Sequence, residues 1–577
     1  MSRTKTVLLV CVLAILLSAC EDGNTNEAAS SRNNTLRDLH IERFRFSPLT
    51  ALARFRTDVP SRVTVTIVGQ DGEDLTKSFD DYGTDHEIPL LGLYPDFRNT
   101  VIVRLRSRDG RSAVDSLEIT TSPLPRAYQR IPIHVVRTQN GSLAEGFILL
   151  LLSREYAGSR EEGMFLVVDH FGKIRWIYTG DQWFMGKMAP DGNLVIQMSN
   201  SYERTRRTYN RIVQAALLWA GQPSAMKELR WNVKGRYDPK ATPGEGENWF
   251  QKLLMEIGDW LPLSMKEFDT LTEIDFFGRE RDSWTASGYS LHHDFIFLPN
   301  GNLLALASSR TSDADLIVEI GAKSRAVDRV IDFKKILDAG RPPAVRHVLN
   351  SDWAHLNALF FDTEDSTLVV SARNQSAIVK LTLDSLRIRW ILGTHEKWSW
   401  MYRDYLLRPV SASFDWPWGQ HAPTPSPSHP NRILVYDNGN RRSYTAPLPP
   451  WASYSRAVEY EIDEGAMTVR QTWEYGRERG SNLFTPVVGS AEYLPNGNRL
   501  ICFGAIAKDL DGDPVRWIEP TPDSTRFKNK NVKSSVHVIE TTGDAPASPL
   551  FELSIQDADA RTYMGYLAYR AYRILLY

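Results

Sequence analysis

The stretch from Ser290 to Arg310, SLHHDFIFLPNGNLLALASSR, carries the pattern that decides the fold. Its right half is a β-hairpin signature, because Asn300 and Gly301 can form a tight turn between two apolar segments. His292, His293 and Asp294 stand at the mouth of the first strand. A purely structural strand has little use for three such side chains, so the stretch predicts a strand that also presents polar chemistry.

Similar phrases return after residue 126, among them FLVVDHFGKIRWIY, KMAPDGNLVIQMS, HLNALFFDTEDSTLVVSAR and AEYLPNGNRLICFG. Recurring antiparallel units joined by Asn-Gly and Asp-Gly turns are typical of β-propeller blades, so we expect a propeller over residues 126–577. The alternative is an array of ordinary β-sandwiches. Residues 202–268 break the rhythm with helix-compatible pieces, RIVQAALLWA and SAMKELRW, and are predicted to be a partly helical insertion.

Residues 36–125 alternate apolar and polar side chains in short runs such as RVTVTIVG, separated by Gly, Asp and Pro turns. This pattern predicts a small antiparallel β-sandwich in front of the propeller. The whole chain has 577 residues, a formal net charge of -2 and 42% hydrophobic residues. It therefore has the composition of a globular protein and offers no basic field to attract nucleic acid.

The first residues, MSRTKTVLLVCVLAILLSAC, resemble a bacterial lipoprotein signal that ends in the lipobox Leu17-Ser18-Ala19-Cys20. We therefore expect a signal peptide over 1–19, lipidation at Cys20 and a flexible tether over 20–35. The alternatives are a plain signal peptide or an uncleaved anchor. The expected location is the bacterial periplasm, with the lipid anchor in a membrane, the outer membrane being preferred over the inner one. Cys502 would then be the one remaining cysteine, in an apolar strand and predicted to be buried.

Strand alternation suggests which polar side chains share a face. His355 and Asn357 fall on one face of their strand, while Leu356 and Ala358 fall on the apolar face. The same reasoning puts His292 and Asp294 on the polar face of the earlier strand and leaves His293 with Phe295. We therefore predict that His292 is the functional imidazole and His293 a packed neighbour, with the reverse register as the alternative.

The hairpin FFDTEDSTL should bring His355 roughly opposite Arg373, at one end of a blade. His421, in GQHA, precedes another strand that ends in the polar turn Asp437 to Asn440. In a propeller, equivalent ends of different blades meet around one central funnel, where imidazoles and a guanidinium would form an anion site. No metal is predicted, because the acidic run from Asp509 to Asp513 lacks the other ligands of a calcium loop and reads as a surface turn.

The motifs HHDFIFLPNGN, WAHLNALFFD, VVSARNQSAIVKL and GQHA followed by DNGN resemble those of the bacterial arylsulfate sulfotransferases. The resemblance covers essentially the whole mature chain, and FSPLTALARFRTD and IPLLGLYPDFRNTVIV resemble the family's N-terminal β-sandwich. It implies an all-β protein in which a small sandwich precedes a six-bladed β-propeller. It also implies transfer of a sulfuryl group between phenols without a nucleotide or other cofactor.

Position by position, the resemblance implies that His421 attacks sulfur and becomes transiently sulfurylated. His355 and Arg373 match groups that hold the sulfuryl oxygens, and His292 matches another channel histidine. His293 and Asn357 are additional candidates. The expected partners are phenolic sulfate donors, phenol acceptors and a membrane, and the oligomeric state is left open. Two other readings remain: a non-catalytic propeller lipoprotein that binds an aromatic or sulfated ligand, and an assembly scaffold.

Overall fold

The computed structural model describes a protein built almost entirely from β-strands. The described residues are 25–28, 35–139, 142–156, 159–180, 185–198, 269–309, 312–345, 353–411, 414–515, 532–557 and 565–577. The predicted signal peptide 1–19, Cys20 and the predicted insertion 202–268 lie outside them. Within these ranges, no helix combines the length and the apolar character that crossing a bilayer requires.

The N-terminal domain is one strongly folded sheet around a single apolar core. Its strands are β1 (Thr25–Ala28), β2 (Arg37–Arg43), β3 (Thr50–Ile67), β4 (Leu75–Leu91), β5 (Arg98–Ser107) and β6 (Ser112–Thr120). The first half of β3 pairs with β2 and its second half with β5, and the register shifts between Arg56 and Ser61, around Pro60. Because proline cannot donate to the ladder, the strand can bend there. Apolar side chains from both halves, such as Phe55 and Val65, then face each other across the core, as expected for a β-sandwich.

Four residues of the segment 20–35, which was predicted to be a tether, lie in a strand. Thr25 to Ala28 form β1, which pairs antiparallel with β2, Thr25 opposite Arg43 and Ala28 opposite His40. The polar composition of this segment suggested a solvated chain, but a short strand at the edge of a sheet needs no apolar side chains, because its backbone hydrogen bonds hold it in place.

Six further sheets of four or five strands follow within the described residues, and each forms one blade. Blade 1 contains β8 (Phe147–Tyr156), β9 (Ser159–Val168), β10 (Ile174–Tyr178) and β32 (Tyr566–Ile574). Blade 2 contains β11 (Gly186–Met188), β12 (Leu194–Gln197), β13 (Thr270–Ile274) and β14 (Glu280–Thr285). Blade 3 contains β15 (Tyr289–Phe297), β16 (Leu303–Ser309), β17 (Ser312–Ile320) and β18 (Val327–Asp332).

The other three blades have the same antiparallel plan. Blade 4 contains β19 (Leu356–Asp362), β20 (Thr367–Ala372), β21 (Ala377–Thr382) and β22 (Ile388–Gly393). Blade 5 contains β24 (His421–Pro425), β25 (Arg432–Asp437), β26 (Arg456–Asp463) and β27 (Thr468–Tyr475), with β23 (Arg408–Pro409) parallel to β27. Blade 6 contains β28 (Ser490–Tyr493), β29 (Arg499–Lys508), β30 (Lys533–Thr541), β31 (Pro549–Gln556) and β7 (Ile133–Thr138).

Helical structure in the described part of the chain is limited to short elements. The α-helix α1 (Arg126–Gln129) follows Pro125 in the connection between the two domains. The 3-10 helices are Phe333–Lys335, Trp400–Tyr405, Pro450–Ala452 and Arg477–Leu483. These elements lie in connections between strands and leave the sheets uninterrupted.

The apolar cores show that the six blades form a closed ring. Each of six clusters draws its side chains from two neighbouring blades, and the last joins blade 6 to blade 1. Two long-range strand pairings close the same junction, because β32 joins blade 1 and β7 joins blade 6. The prediction of a six-bladed propeller is therefore confirmed, and an array of separate sandwiches is excluded because such sheets would not share cores cyclically.

The innermost strand of each blade lines the axis of the ring: β32, β11, β15, β19, β24 and β28. Neighbouring members contact each other directly, as β15 contacts β19 and β19 contacts β24. Polar side chains at the same level of these strands therefore meet around the axis.

Candidate active site

The predicted pairing of His355 with Arg373 is confirmed. His355 lies directly before β19 and Arg373 directly after β20, and the Arg373 amide donates to the His355 carbonyl oxygen over 3.2 Å. His355 has a φ of 50° and its amide donates to the Asp315 carboxylate. The left-handed backbone turns the chain into the strand at this point, and the carboxylate of the neighbouring blade holds it there.

Strand β15 departs from regular alternation at the two histidines. Leu291 pairs with Ala307 and Phe295 with Ala305, so three residues of β15 stand opposite one residue of β16. His293, in the middle of this bulge, has a φ of 62°. A bulge of this kind turns side chains away from the faces that a period of two assigns to them. The alternation that guided the prediction does not apply here.

His293 lies within the histidine cluster. Its ring centroid is 4.7 Å from that of His355 and 6.0 Å from that of Tyr569. Its Nδ1 is 2.8 Å from Nδ1 of His292, so one of these two nitrogens is protonated and donates a hydrogen bond that the other accepts. The prediction that His293 packs beside Phe295 is therefore wrong, and both imidazoles of the pair belong to the cluster.

Burial lowers the pKa of His293 well below the usual value of 6.5, and the charges of His355 and His292 act in the same direction. His421 and Arg373 contribute to this shift too, so their side chains lie within electrostatic reach. The cluster thus brings together all four residues predicted to be catalytic, along with His293. At neutral pH the His293 ring is uncharged.

His421, the first residue of β24, has its tautomer fixed by a neighbouring amide. Its Nδ1 lies 2.6 Å from Oδ1 of Asn438, and the side-chain nitrogen of Asn438 donates to the carbonyl oxygens of Thr485 and Val488, over 2.8 and 2.9 Å. Because Oδ1 can only accept, His421 must carry its proton on Nδ1. The lone pair then resides on Nε2, the position that a nucleophile requires.

The His421 side chain is buried, and burial lowers its pKa well below 6.5. The charge of Arg373 lowers the pKa further, while the hydrogen bond with Asn438 works against the shift. A buried imidazole that stays neutral keeps its Nε2 lone pair available over the whole physiological pH range. This is the electrostatic setting that a histidine nucleophile needs.

Arg373 and Asn357 each donate hydrogen bonds to carbonyl oxygens of neighbouring residues. The Arg373 guanidinium is buried and donates to Oδ1 of Asn374 over 2.9 Å and to the Pro486 carbonyl over 3.1 Å. Asn357 donates from Nδ2 to the carbonyl oxygen of Gln420 over 2.8 Å. Arg373 therefore supplies fixed positive charge, whereas Asn357 anchors the backbone immediately before His421.

Asp294 does not face the channel as an open polar group, which corrects the prediction from alternation. Its carboxylate is buried and accepts hydrogen bonds from both terminal nitrogens of Arg570, over 3.2 and 2.9 Å, and from Nζ of Lys187, over 3.1 Å. Sequence reasoning missed Arg570, Lys187 and Tyr569. Arg570 and Tyr569 lie on the strand that closes the ring, and no local pattern connects that strand to residue 294.

Asn438 was visible in the sequence only as part of a polar turn. Its partnership with His421 depends on the β24–β25 pairing, which sets His421 opposite Tyr436.

In the described part of the chain, no group of three His, Cys, Asp or Glu side chains is arranged to hold a metal ion. In the acidic run at 509–513, Oδ1 of Asp509 accepts the amides of Asp511 and Asp513, which closes a turn.

Comparison with known proteins gives consistent similarities. The family described as Arylsulfotransferase (ASST) matches residues 228–566, and the Arylsulfotransferase Ig-like domain matches residues 41–122. An arylsulfate sulfotransferase of Escherichia coli O6:H1 is 25% identical, over 85% of this chain and 88% of its own. One from Lelliottia amnigena is 24% identical, with the same coverage.

The chain was also compared with solved structures. The periplasmic gluconolactonase of Pseudomonas aeruginosa aligns with a TM-score of 0.29 and 12% identity, over 71% of this chain and 96% of that chain. A similarity at this level carries no argument about fold or function.

Proposed function

Because the chain belongs to the arylsulfotransferase family, we propose that it transfers a sulfuryl group from a phenolic sulfate ester to a phenol, with His421 as the nucleophile. The observation that carries this proposal is the hydrogen bond between Nδ1 of His421 and Oδ1 of Asn438. It leaves the lone pair of Nε2 free for attack, while burial and Arg373 keep the ring uncharged.

The reaction has two half-reactions. In the first, Nε2 of His421 attacks the donor's sulfur: an N–S bond forms, the ester S–O bond breaks, and the phenolate leaves with the bonding electron pair. In the second, the oxygen of an acceptor phenol attacks sulfur and the N–S bond breaks, which returns the pair to Nε2. For the departing phenolate to be protonated, one ring of the histidine cluster must act as an imidazolium and give up its proton. The neutral imidazole that remains then takes the proton of the incoming phenol, so the site ends each cycle unchanged.

The fixed donors around His421 suit the charge distribution of such a transfer. Sulfuryl transfer resembles phosphoryl transfer, in which a loose transition state spreads charge over the peripheral oxygens. Arg373 provides a permanent positive charge, and His355, His293 and His292 add ring nitrogens that can donate hydrogen bonds. We assign His355 and Arg373 to the sulfuryl oxygens, and the His292–His293 pair to the oxygens and to proton transfer.

The test uses p-nitrophenyl sulfate as donor and phenol as acceptor. The intact protein should release p-nitrophenol with parallel double-reciprocal plots, because a covalent intermediate separates the two substrates in time. With donor alone, the protein should gain the mass of one sulfuryl group at His421, and His421→Ala should lose both signals. His429→Ala is the matched control, because His429 is an exposed residue of the loop between β24 and β25, where its ring bonds to Ser428. This variant should behave as wild type.

Two results would count against the proposal. Intersecting plots that require a ternary complex would reject the covalent intermediate. Tight binding of the aryl sulfate by folded protein without any release of p-nitrophenol would favour a ligand-binding propeller over an enzyme.

We also propose that Cys20 is lipidated and anchors the protein to the outer membrane, facing the periplasm. The support is the lipobox Leu17-Ser18-Ala19-Cys20 after a short basic segment and an apolar run. Labelled palmitate should be incorporated by the wild type and not by Cys20→Ala, which should appear in the soluble periplasmic fraction if export is retained. Equal labelling of both proteins would reject the anchor at this residue.

A further inference from the structure

Asp294 connects the inner strands of four blades. Its carboxylate accepts hydrogen bonds from Arg570 of β32 and from Lys187 of β11. It also accepts hydrogen bonds from the backbone amide of Leu359, on β19, over 2.9 Å and from that of Phe295, on its own strand, over 3.0 Å. Although burial raises the pKa of Asp294, the charges of Arg570 and Lys187 hold it below its usual value. The carboxylate is therefore ionised and fully engaged in the interior of the ring.

This carboxylate is also the last residue of the bulge that carries the two histidines. The bulge spans residues 292–294, with His293 in the left-handed region at a φ of 62°. Such a backbone conformation is unfavourable for a residue with a Cβ and persists only where neighbouring contacts fix it. The five hydrogen bonds that Asp294 accepts fix one end of the bulge and therefore the direction of the His292 and His293 side chains.

The partner of Asp294 acts on the same cluster from the other side. Arg570 follows Tyr569, whose hydroxyl donates to the Asn357 carbonyl over 3.2 Å and whose ring faces that of His293. The charge of Arg570 also contributes to the lowered pKa of His421. The ion pair thus ties the closing strand to the bulge and sets the distance between Tyr569 and His293.

We propose that Asp294, held by Arg570, is a positioning residue that keeps the His292–His293 pair in its hydrogen-bonded arrangement inside the channel. The effect on turnover rests on the proposed sulfuryl transfer, whereas the effect on the two imidazoles does not. A merely structural ion pair would stabilise the ring without influencing either the tautomers or the kinetics.

The chain provides a matched control on the same closing strand. Arg573 of β32 forms an ion pair with the carboxylate of Glu540, which is fully buried. Glu540 also accepts the amide of Ala144 and the side-chain nitrogen of Asn498, over 2.7 Å each, and none of its hydrogen bonds reaches the histidine cluster. Asp294→Asn and Glu540→Gln therefore remove similar buried charges from similar ion pairs, one beside the histidines and one away from them.

The experiment compares the two variants with wild type at equal folded fraction, measured by near-ultraviolet circular dichroism. Proton–nitrogen spectra of histidine-labelled protein should change for the His292–His293 pair in Asp294→Asn and stay unchanged in Glu540→Gln. With p-nitrophenyl sulfate, kcat should fall about 100-fold in Asp294→Asn, as expected for misplaced reacting groups, with a shifted pH profile and little change in KM. Glu540→Gln should keep the wild-type kcat for its folded fraction.

Unchanged histidine spectra in folded Asp294→Asn, or the same kinetic loss in both variants, would overturn the positioning role. If the Asp294→Asn variant does not fold, the Arg570→Lys variant is used in its place, because lysine keeps the positive charge but cannot form the bidentate ion pair with Asp294. The same change in the histidine spectra is then expected. If wild type itself releases no p-nitrophenol, the proposed function fails, and the histidine spectra still decide the role of Asp294.

Discussion

Replacing Glu492 by glutamine should make the protein more stable at alkaline pH. Glu492 lies on β28, in the ring of inner strands, within electrostatic reach of Arg570 and Lys187. Burial raises its pKa to about 8, from an ordinary value of 4.5, and the two positive charges only partly oppose this shift. At neutral pH the folded protein therefore holds a proton on Glu492 that the unfolded chain releases.

The sign of the effect follows from linkage. A group whose pKa is higher in the folded state stabilises that state fully below pH 4.5, and this contribution is lost as the pH rises through 8. At about 1.4 kcal/mol for each pH unit, the free energy of unfolding falls by about 5 kcal/mol across this window. Glutamine has nearly the same shape and cannot ionise, so Glu492→Gln should not show this loss.

The measurement is urea unfolding followed by the fluorescence of the 16 tryptophans, at about pH 5 and about pH 9. Glu552→Gln is an informative control in the same blade. Its hydrogen bond with His537, together with Arg479, lowers the pKa of Glu552 to about 2. The ionised Glu552 therefore adds to the free energy of unfolding at neutral pH, and this stabilisation is lost in acid. An alkaline loss of stability in Glu492→Gln equal to that of wild type would refute the reasoning.

Two further substitutions test the site, and one labelling experiment tests the burial of Cys502. Asn438→Ala should lower kcat about 10- to 100-fold, the equivalent of one buried hydrogen bond, because His421 loses the acceptor that fixes its tautomer; wild-type kcat at equal folded fraction would contradict this. Arg373→Lys should lower kcat/KM for p-nitrophenyl sulfate about 100-fold, since lysine lacks the planar fork, and an unchanged value would remove Arg373 from the site. Cys502 should resist iodoacetamide in the folded protein and react after unfolding, because burial raises the pKa of its thiol; rapid labelling of the native state would contradict the described burial.

Local sequence patterns predicted the fold because hairpin turns act locally. The Asn300-Gly301 turn joins β15 to β16, and the backbone amide of Leu298 donates a hydrogen bond to the carbonyl oxygen of Asn302 across this turn. Similar turns repeat in other blades. The pairing of His355 with Arg373 was predictable for the same reason, since both flank one hairpin. The choice between His292 and His293 was not, because a bulge changes side-chain direction without altering the alternation of residue types.

The sequence by itself determined that the chain is all-β and that its units pair as antiparallel blades. It also determined that the pair His292–His293, together with His355, Arg373 and His421, stands at equivalent ends of those units. Only the tertiary structure decided which groups control these side chains. Asn438 orients His421, and Asp294 meets Arg570 only because β32 returns to close the ring beside β8. The physical reason is that hairpins are set by neighbouring residues, whereas charge, tautomer and burial at the axis depend on strands that are far apart in the chain.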